Sequence, residues 1–374
     1  MKIAALIANR ANLARSLTVL EALSEMPGVE LVVIACSSFV LEKFGRPVDG
    51  MPKLRGMKVI EVFSNIEGET LETQAKSTGL LITELAGILK REEVTSLIVV
   101  ADRFEVVCGA IAASYQNIPL IHIQGGEVSG NIDDKVRNAV TMFADLHFPC
   151  SAPANDRLST MTGRKGAVHQ YGCPAMDLVY RHEYSPPVDV MRSYSHVGHL
   201  PEPGEPYTLV VFHPETELYD EARARAAQLL DTICGLPDHT IVMLWPNIDA
   251  GSDAVAKSIR VFRERNPDAK LSVFKHLSAD NYLDVMMGAQ ILVGNSSSFL
   301  REGAHLAKPA VVVGVRQSGR DTGENVIIAP DLGEGLKQSI LEARTMRPKA
   351  SSMYGTGDAG ERIAQEIVGF LAKR

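Results

Sequence analysis

Acidic side chains gather in the first half of the chain, just beyond apolar runs that predict buried strands. Asp102 ends one such run, and Glu127 follows the next run after two glycines. Asp133 and Asp134 stand at the start of a predicted helix that carries Arg137. Neighbouring carboxylates shift one another's pKa values, which suits proton transfer. We therefore predict an acid/base centre here; the alternative is that these acids only cap helices or face helix dipoles.

A histidine stands at the equivalent point of the second half. His213 ends an apolar run and precedes Pro214 and Glu215. If the two halves form facing domains, this position lies across a cleft from the acids. Histidine exchanges protons near neutral pH, so we predict a role for His213 in the reaction, against the alternative of a structural histidine.

Three successive serines follow a glycine and an asparagine at 294–298. The run lies between a predicted strand and a predicted helix at 299–306. Small residues let the backbone approach a ligand, and hydroxyl and N–H groups at a helix start bind phosphate. The motif predicts a phosphate site, with an ordinary serine cap as the alternative. Glu302 is placed to accept hydrogen bonds from ribose hydroxyls, unless it is a solvated helix acid.

Two further loops after strands carry groups suited to the same ligand. The loop at 245–253 contains Asn247 and Ser252, although it could be only a capped turn. The other contains Arg316 and Arg320, and arginine forks fit phosphate oxygens. Ligands of open α/β sheets bind at the carboxyl ends of the strands, where all these loops are expected.

The elements that position these loops alternate along the chain. Strands that are apolar throughout, separated by helices, indicate parallel sheets covered on both faces. The predicted strands of the first half are 2–8, 30–36, 58–62, 96–101, 119–123 and 146–149. The predicted helices of the first half are 12–26, 71–90, 104–115 and 132–144. The predicted strands of the second half are 207–213, 240–245, 270–274, 291–294 and 310–313.

This pattern predicts an α/β fold of two Rossmann-like domains facing across a cleft. Residues 185–206 contain five prolines and two glycines and show no clear period, so we predict an interdomain linker there. The predicted domains are 1–184, with the acids, and 207–355, with the phosphate loops. A last helix within 356–374 is expected to pack back on the first domain.

Bulk properties narrow the class of protein. The chain has 374 residues, 45% hydrophobic, which suits two cored domains. Its net charge of −7 argues against nucleic acid as a general partner. No segment is long and apolar enough to span a membrane, and the short apolar N-terminus favours a strand over a signal peptide. Five dispersed cysteines without a C-x-x-C pair indicate reduced thiols, no metal signature and a cytoplasmic location.

Over nearly its whole length, the ordered set of motifs resembles the hydrolysing UDP-N-acetylglucosamine 2-epimerase family, including the bacterial enzymes of sialic and legionaminic acid synthesis. The motifs are Asp102-Arg103-Phe104-Glu105, Gly125-Gly126-Glu127-Val128-Ser129-Gly130, Asp133-Asp134 with Arg137, Gly172-Cys173-Pro174, His213-Pro214, Pro246-Asn247-Ile248-Asp249-Ala250-Gly251-Ser252, Gly294-Asn295-Ser296-Ser297-Ser298, and Arg316-Gln317 with Gly319-Arg320. The resemblance implies the glycosyltransferase-B architecture and a homodimer or homotetramer.

The resemblance also implies roles for residues. Asp102, Glu127 and Asp133 match the catalytic acids, His213 matches the catalytic histidine, and Arg10 matches an arginine near the diphosphate. The predicted substrate-binding set, drawn from the loops and the resemblance, is Arg10, Arg103, Gln124, Asp134, Arg137, Asn247, Ser252, His276, Asn295, Ser296, Ser297, Ser298, Glu302, Arg316 and Arg320. The expected partners are a nucleotide-sugar and UDP, and we expect no cofactor and no metal.

The implied reaction is elimination of UDP to a glycal, followed by hydration with inversion at C2, giving N-acetylmannosamine from UDP-N-acetylglucosamine. Gln124 stands where many members have Glu, and Phe299 replaces a usual glycine beside the serine loop. The alternatives are the same reaction on UDP-2,4-diacetamido-2,4,6-trideoxyglucose and a non-hydrolysing epimerase. Two further alternatives belong to other functional classes. One is a glycosyltransferase of the same fold, and the other is a nucleotide-sugar sensor that catalyses no reaction.

Overall fold

The computed structural model describes residues 1–68, 70–130, 132–163, 165–237 and 240–374. It contains two domains, each built on a largely parallel sheet flanked by helices, which confirms the predicted α/β class and facing Rossmann-like domains. The elements of the first domain are β1 Lys2–Ile7, α1 Arg10–Ala14, α2 Leu17–Glu25, β2 Glu30–Cys36, β3 Met57–Val62, α3 Leu71–Arg91, β4 Ser96–Val100, α4 Phe104–Ser114, β5 Leu120–Ile123, α5 Ile132–Phe143, β6 Leu146–Phe148, α6 Ala152–Thr162 and α7 Pro174–Arg181.

The remaining elements continue in chain order. They are α8 Pro187–Arg192, β7 His196–Gly198, β8 Tyr207–Val211, α9 Ala222–Cys234, β9 Thr240–Leu244, α10 Ser252–Arg265, β10 Leu271–Phe274, α11 Ala279–Gly288, β11 Ile291–Gly294, α12 Glu302–His305, β12 Ala310–Val312, β13 Val326–Ile328, α13 Glu334–Ala343 and α14 Ala359–Leu371. No helix of the described ranges is both long and apolar enough to cross a membrane.

The first sheet has the strand order β3-β2-β1-β4-β5-β6, and its paired strands are all parallel. Alternate residues of β1 serve opposite faces, since successive side chains of a strand point to opposite sides. Ile3 and Ile7 join a core with α2 and α14, whereas Ala4 and Leu6 join a core with α3 and α4. Burial on both faces explains why β1 is apolar throughout.

The predicted helix at 12–26 is divided in the structure. α1 and α2 are separated at Arg15 and Ser16. The Ser16 hydroxyl donates to the carbonyl oxygens of Asn12 at 2.8 Å and Leu13 at 3.3 Å, and such side-chain bonds compete with helix continuation. The break leaves Arg15 facing the cleft between the domains.

The second sheet has the order β13-β12-β11-β8-β9-β10-β7. Within 185–206, the predicted linker, the structure places α8 and β7. Pro187 starts α8, where its fixed φ and missing N–H are tolerated. Val188 and Met191 are buried in the second core, and β7 pairs antiparallel with β10. The proline-rich composition therefore conceals an edge strand and a packed helix.

The C-terminal helix α14 packs against α2 and α7 of the first domain. The carboxylate of Asp177 accepts hydrogen bonds from the N–H groups of Ala359 at 3.1 Å and Gly360 at 2.7 Å, and from the Thr18 hydroxyl at 2.8 Å. A Cβ at Gly360 would lie 2.3 Å from the Thr18 hydroxyl oxygen, so this close approach requires glycine.

Candidate functional site

A cleft of about 290 Å³ lies between the carboxyl ends of the two sheets. This is the lower end of the usual size for a small-molecule site. The predicted site residues that line it are Arg10, Asp102, Arg103, Asp133, His213, Asn247, His276, Ser296, Ser297, Ser298, Glu302, Arg316 and Arg320. The predicted residues that do not line it are Gln124, Glu127, Asp134, Arg137, Ser252 and Asn295.

The first loop of the cleft is fixed by Asn12. Its buried amide accepts from the N–H of Ala8 and donates to the Val100 carbonyl, both at 3.3 Å, which ties the loop after β1 to β4. Arg10 Nη2 donates to the Phe44 carbonyl at 2.6 Å, and burial lowers the pKa of Arg10 to about 10. Two cations, Arg10 and Arg15, therefore face the cleft from this loop.

The serine loop opposite them depends on Gly294. Its φ is +142°, and a Cβ there would lie 2.0 Å from the Val211 carbonyl oxygen, so only glycine fits. Ser298 shares hydroxyl hydrogen bonds with Ser296 at 2.8 Å and with Tyr282 at 2.7 Å. Ser297 accepts from Arg15 Nη2 at 2.7 Å across the cleft. Hydroxyl groups of one domain thus meet a guanidinium of the other.

Two expectations about this loop need correction. The predicted helix at 299–306 is a 3-10 turn, Ser297–Phe299, followed by the single turn α12. Phe299 does not stand beside the ligand loop, because its side chain is fully buried in the core of the second domain. The apolar ring turns inward for the ordinary reason that burial stabilises it.

Asp102 and Asp133 both face the cleft, but their environments differ. Burial raises the pKa of Asp102, yet Arg137 and Arg320 outweigh burial and hold that pKa well below its usual range. Asp102 accepts a buried hydrogen bond from Arg137 Nη2. Burial, followed by the charge of Asp102, raises the pKa of Asp133 to about 7. One carboxyl is therefore ionised at neutral pH, and the other holds a proton part of the time.

Glu127 lies behind the cleft wall in a cluster of arginines. Its Oε2 accepts hydrogen bonds from Arg301 Nη2 and Arg320 Nη1 of the second domain. Burial raises the pKa of Glu127, but Arg301 and Arg320 outweigh it and lower that pKa overall. Arg301 is 1% exposed and stacks on Tyr354 with 4.9 Å between its guanidinium carbon and the ring centroid. Glu127 thus joins the two domains.

Four other predicted residues also lie outside the cleft lining; together with Glu127 and Asn295 we call them the framework residues. Arg137 is fully buried and donates to the Glu127 carbonyl at 2.7 Å as well as to Asp102. Asp134 accepts from the N–H groups of Ser129 and Gly130, each at 2.8 Å, and fixes their turn. Gln124 donates to Cys173 Sγ at 3.0 Å, and Ser252 is buried at the start of α10.

His213 is held at the end of β8 by Asn295. The Asn295 amide accepts from the His213 N–H at 2.8 Å and donates to the His213 carbonyl at 2.9 Å. The ring Nδ1 accepts from the N–H of Asn247 at 3.3 Å, so Nε2 carries the proton. Burial, and then Arg316, lowers the pKa of His213 to about 3. The imidazole is a neutral N–H donor at physiological pH.

Three residues of the site are not in the set predicted from the sequence. Arg15 was hidden by the continuous helix pattern, although it lies five positions after Arg10. Arg301 interrupts the apolar run before Glu302, and a charged residue in such a run is the sequence signal that could have identified it. Asp249 accepts from Arg103 Nη1 and, at 3.4 Å, from Arg316 Nη2. Across the described ranges, no group of three or more His, Cys, Asp or Glu side chains could hold a metal ion.

The chain matches a family model described as UDP-N-acetylglucosamine 2-epimerase over residues 21–368. It is 27% identical over 294 residues to the hydrolysing UDP-N,N'-diacetylbacillosamine 2-epimerase of Legionella pneumophila, covering 78% of this chain and 76% of the relative. It is 25% identical over 371 residues to the UDP-N-acetylglucosamine 2-epimerase of Neisseria meningitidis, covering 98% and 94%.

A solved structure of UDP-GlcNAc 2-epimerase from Neisseria meningitidis bound to UDP-GlcNAc has a TM-score of 0.78 to this chain at 15% identity, covering 99% of this chain and 100% of that one. The enzyme from Methanocaldococcus jannaschii, in complex with UDP-GlcNAc and UDP, gives 0.78 at 15% identity over 99% and 100%. These likenesses support the fold. The family model spans most of the chain, so this protein belongs to the UDP-N-acetylglucosamine 2-epimerase family, as its motifs suggested.

Proposed function

We propose that the protein converts UDP-N-acetylglucosamine and water to UDP and N-acetylmannosamine. The observation that carries the proposal is the pair of cleft-facing carboxyls, Asp102 and Asp133, whose pKa values are shifted in opposite directions. Carboxyls separated in this way supply a base and an acid at one pH.

The residues that line the cleft suggest where each end of the substrate binds. Arg10, Arg15 and the serine loop surround the position proposed for the diphosphate, where guanidinium and hydroxyl groups suit phosphate oxygens. Glu302 lies beside that loop for the ribose, and His276 lines the end proposed for the base. The sugar then lies against the acids.

The first step is elimination. The bond from C1 to the diphosphate oxygen breaks and its electron pair leaves with UDP, assisted by the N–H of His213 and by nearby arginines. Asp102, which is ionised, takes the proton from C2, and the electrons of that bond form the C1=C2 double bond of a glycal. A carboxylate of low pKa suffices, since a C–H bond next to an oxocarbenium centre is strongly acidic.

The second step is hydration. Asp133 in its protonated form gives a proton to C2 on the face opposite to Asp102, a water oxygen bonds to C1, and the proton that this water loses passes to the Asp133 carboxylate. The proton that Asp102 took from C2 is lost to solvent, so both acids return to their starting state. Glu127, which does not line the cleft, serves to place Arg301 and Arg320. We make the same proposal for the other framework residues: they position the groups that contact substrate.

A second candidate substrate is a UDP-linked diacetamido sugar. The favouring observation is that two relatives are named hydrolysing epimerases of UDP-N,N'-diacetylbacillosamine, at 27% and 24% identity. A cytoplasmic location and a homodimer or homotetramer belong to the proposal too. The five cysteines are free thiols, as a reducing compartment requires, and light scattering would measure subunit number.

The decisive experiment is turnover of UDP-N-acetylglucosamine in deuterated water followed by NMR. We expect free UDP and N-acetylmannosamine with deuterium at C2. UDP-linked N-acetylmannosamine would show a non-hydrolysing epimerase instead. Turnover of the diacetamido sugar alone would move the proposal to that substrate, and transfer of sugar to an added acceptor would show a glycosyltransferase.

A further inference from the structure

A second, much smaller cavity adjoins the sugar end of the cleft. It has a volume of about 20 Å³, and Arg103, Asp133 and Arg316 border both it and the cleft. Its remaining lining comes from both domains, namely Gln74, Phe104, Ile132, Pro214, Thr216 and Asp249. We refer to it as the side cavity.

The size and polarity of the side cavity suit water. A polar cavity holds an ordered water when it offers roughly 10–15 Å³ and two to four polar partners. Two carboxylates, two guanidinium groups, an amide and a hydroxyl surround this one. A sugar or nucleotide is far too large for it.

Arg103 points to the same ligand. Its Nη1 donates to Asp249 and its Nε donates to Glu105 at 3.2 Å. Its Nη2 is buried and has no hydrogen-bond partner among the residues that the structure describes. A buried donor left unpaired is unfavourable, and a water in the side cavity would accept from it.

Two residues that line the side cavity also lie at the surface of the molecule. Ile132 on its rim is 37% exposed, and Gln74 is half-buried. The N–H of Ile132 donates to Glu217 of the second domain at 2.5 Å, which holds this rim in place. Asp133 and the surface residue Ile132 therefore line the same cavity, so a water held there need not come from a cleft filled by UDP and sugar.

We propose that the side cavity stores and delivers the water that adds to C1 of the glycal. This inference rests on the proposed hydrolysing function. When Asp133 has given its proton to C2, it is a carboxylate beside the side cavity. The water oxygen then bonds to C1 as the water's proton passes to Asp133, which restores the acid. Arg103 orients the water, and its role is one of positioning.

The test is to fill the side cavity and follow the product. Gln74→Phe places a ring at its rim, and Thr216→Leu is a second filling variant should the first fail to fold. Glu72→Phe is the matched control, since Glu72 lies on the same helix with its side chain 74% exposed. UDP release is measured by a coupled assay, and free glycal and reducing sugar are measured by NMR.

We expect both filling variants to release UDP at a rate within threefold of the wild-type rate. For each UDP released, they should release at least tenfold more free glycal than the wild type does. The control should release only hydrated sugar. Fully hydrated product from a folded filling variant would overturn the inference, and so would loss of UDP release in a filling variant that still binds UDP. Failure of the wild type to release UDP would instead contradict the proposed function.

Discussion

Asp102 and Asp133 line one cleft and are both largely buried, yet the pKa of one is lowered and that of the other is raised. Burial acts on both in the same direction, so it does not explain the difference. Asp102 is next to Arg137 and Arg320, whereas Asp133 has the Asp102 carboxylate as its strongest neighbouring charge. The positions of the arginines therefore decide which of the two carboxyls is ionised at neutral pH.

Amide variants of the two acids should fail at different steps. Asp102→Asn should lower UDP release by about a thousandfold, because the elimination loses its base. Asp133→Asn should still release UDP but should yield glycal in place of N-acetylmannosamine. Both are measured by single-turnover NMR, with UDP affinity from calorimetry as the control. Identical products from the two variants would remove the distinction between them.

Removing Arg301, which does not line the cleft, should destabilise the buried ion pairs around Glu127. Arg301→Leu should lower the free energy of unfolding by about 3 kcal/mol, because it leaves the buried carboxylate of Glu127 with one fewer partner. Urea titration measures this change. The exposed pair of Lys76 and Glu72 offers the matched control, and Lys76→Leu should cost under about 0.5 kcal/mol. Equal losses in the two variants would contradict the role given to Arg301.

Raising the pH above 7 should deprotonate Asp133 and should leave the already ionised Asp102 unchanged. The hydration acid must be protonated, and the pKa of Asp133 is raised to about 7, so hydration should slow by about tenfold per pH unit above that value. Asp102 is ionised throughout, so UDP release should stay level from pH 6 to 9. Glycal should then appear at high pH. A rise of N-acetylmannosamine formation with pH would show that Asp133 acts as the base instead.

Glu302 offers the smallest effect and the closest comparison. Burial, followed by the charge of Cys173, raises the pKa of Glu302 to about 7, as for Asp133, but Glu302 lies beside the serine loop. A protonated carboxyl and an amide offer similar hydrogen bonds, so Glu302→Gln should change UDP affinity by less than about threefold at pH 6. Calorimetry measures this affinity. A large loss of turnover would place Glu302 in the chemistry.

The sequence predicts the positions of Asp102 and Asp133 because both follow strands of one parallel sheet, whose ends meet at a common edge. It does not predict that the pKa of Asp102 is lowered while that of Asp133 is raised. That depends on Arg137 and on Arg320, which lies in the second domain, far from Asp102 in the chain. Contacts between domains leave no periodic signal. Arg15 was missed for a local reason, because the helix that the apolar pattern continues is broken next to it, where the Ser16 hydroxyl is shared between two backbone carbonyls.

The shared carboxylate of Glu127 has a consequence for how substrate arrives. Any separation of the domains must break its bonds to Arg301 and Arg320 and would leave these two guanidinium groups of the second domain without that carboxylate. An anionic nucleotide-sugar would then be drawn in by long-range attraction that weakens as salt is added. The same two arginines would attract the ligand before closure and be balanced by Glu127 after it, so the association rate should report on the open form.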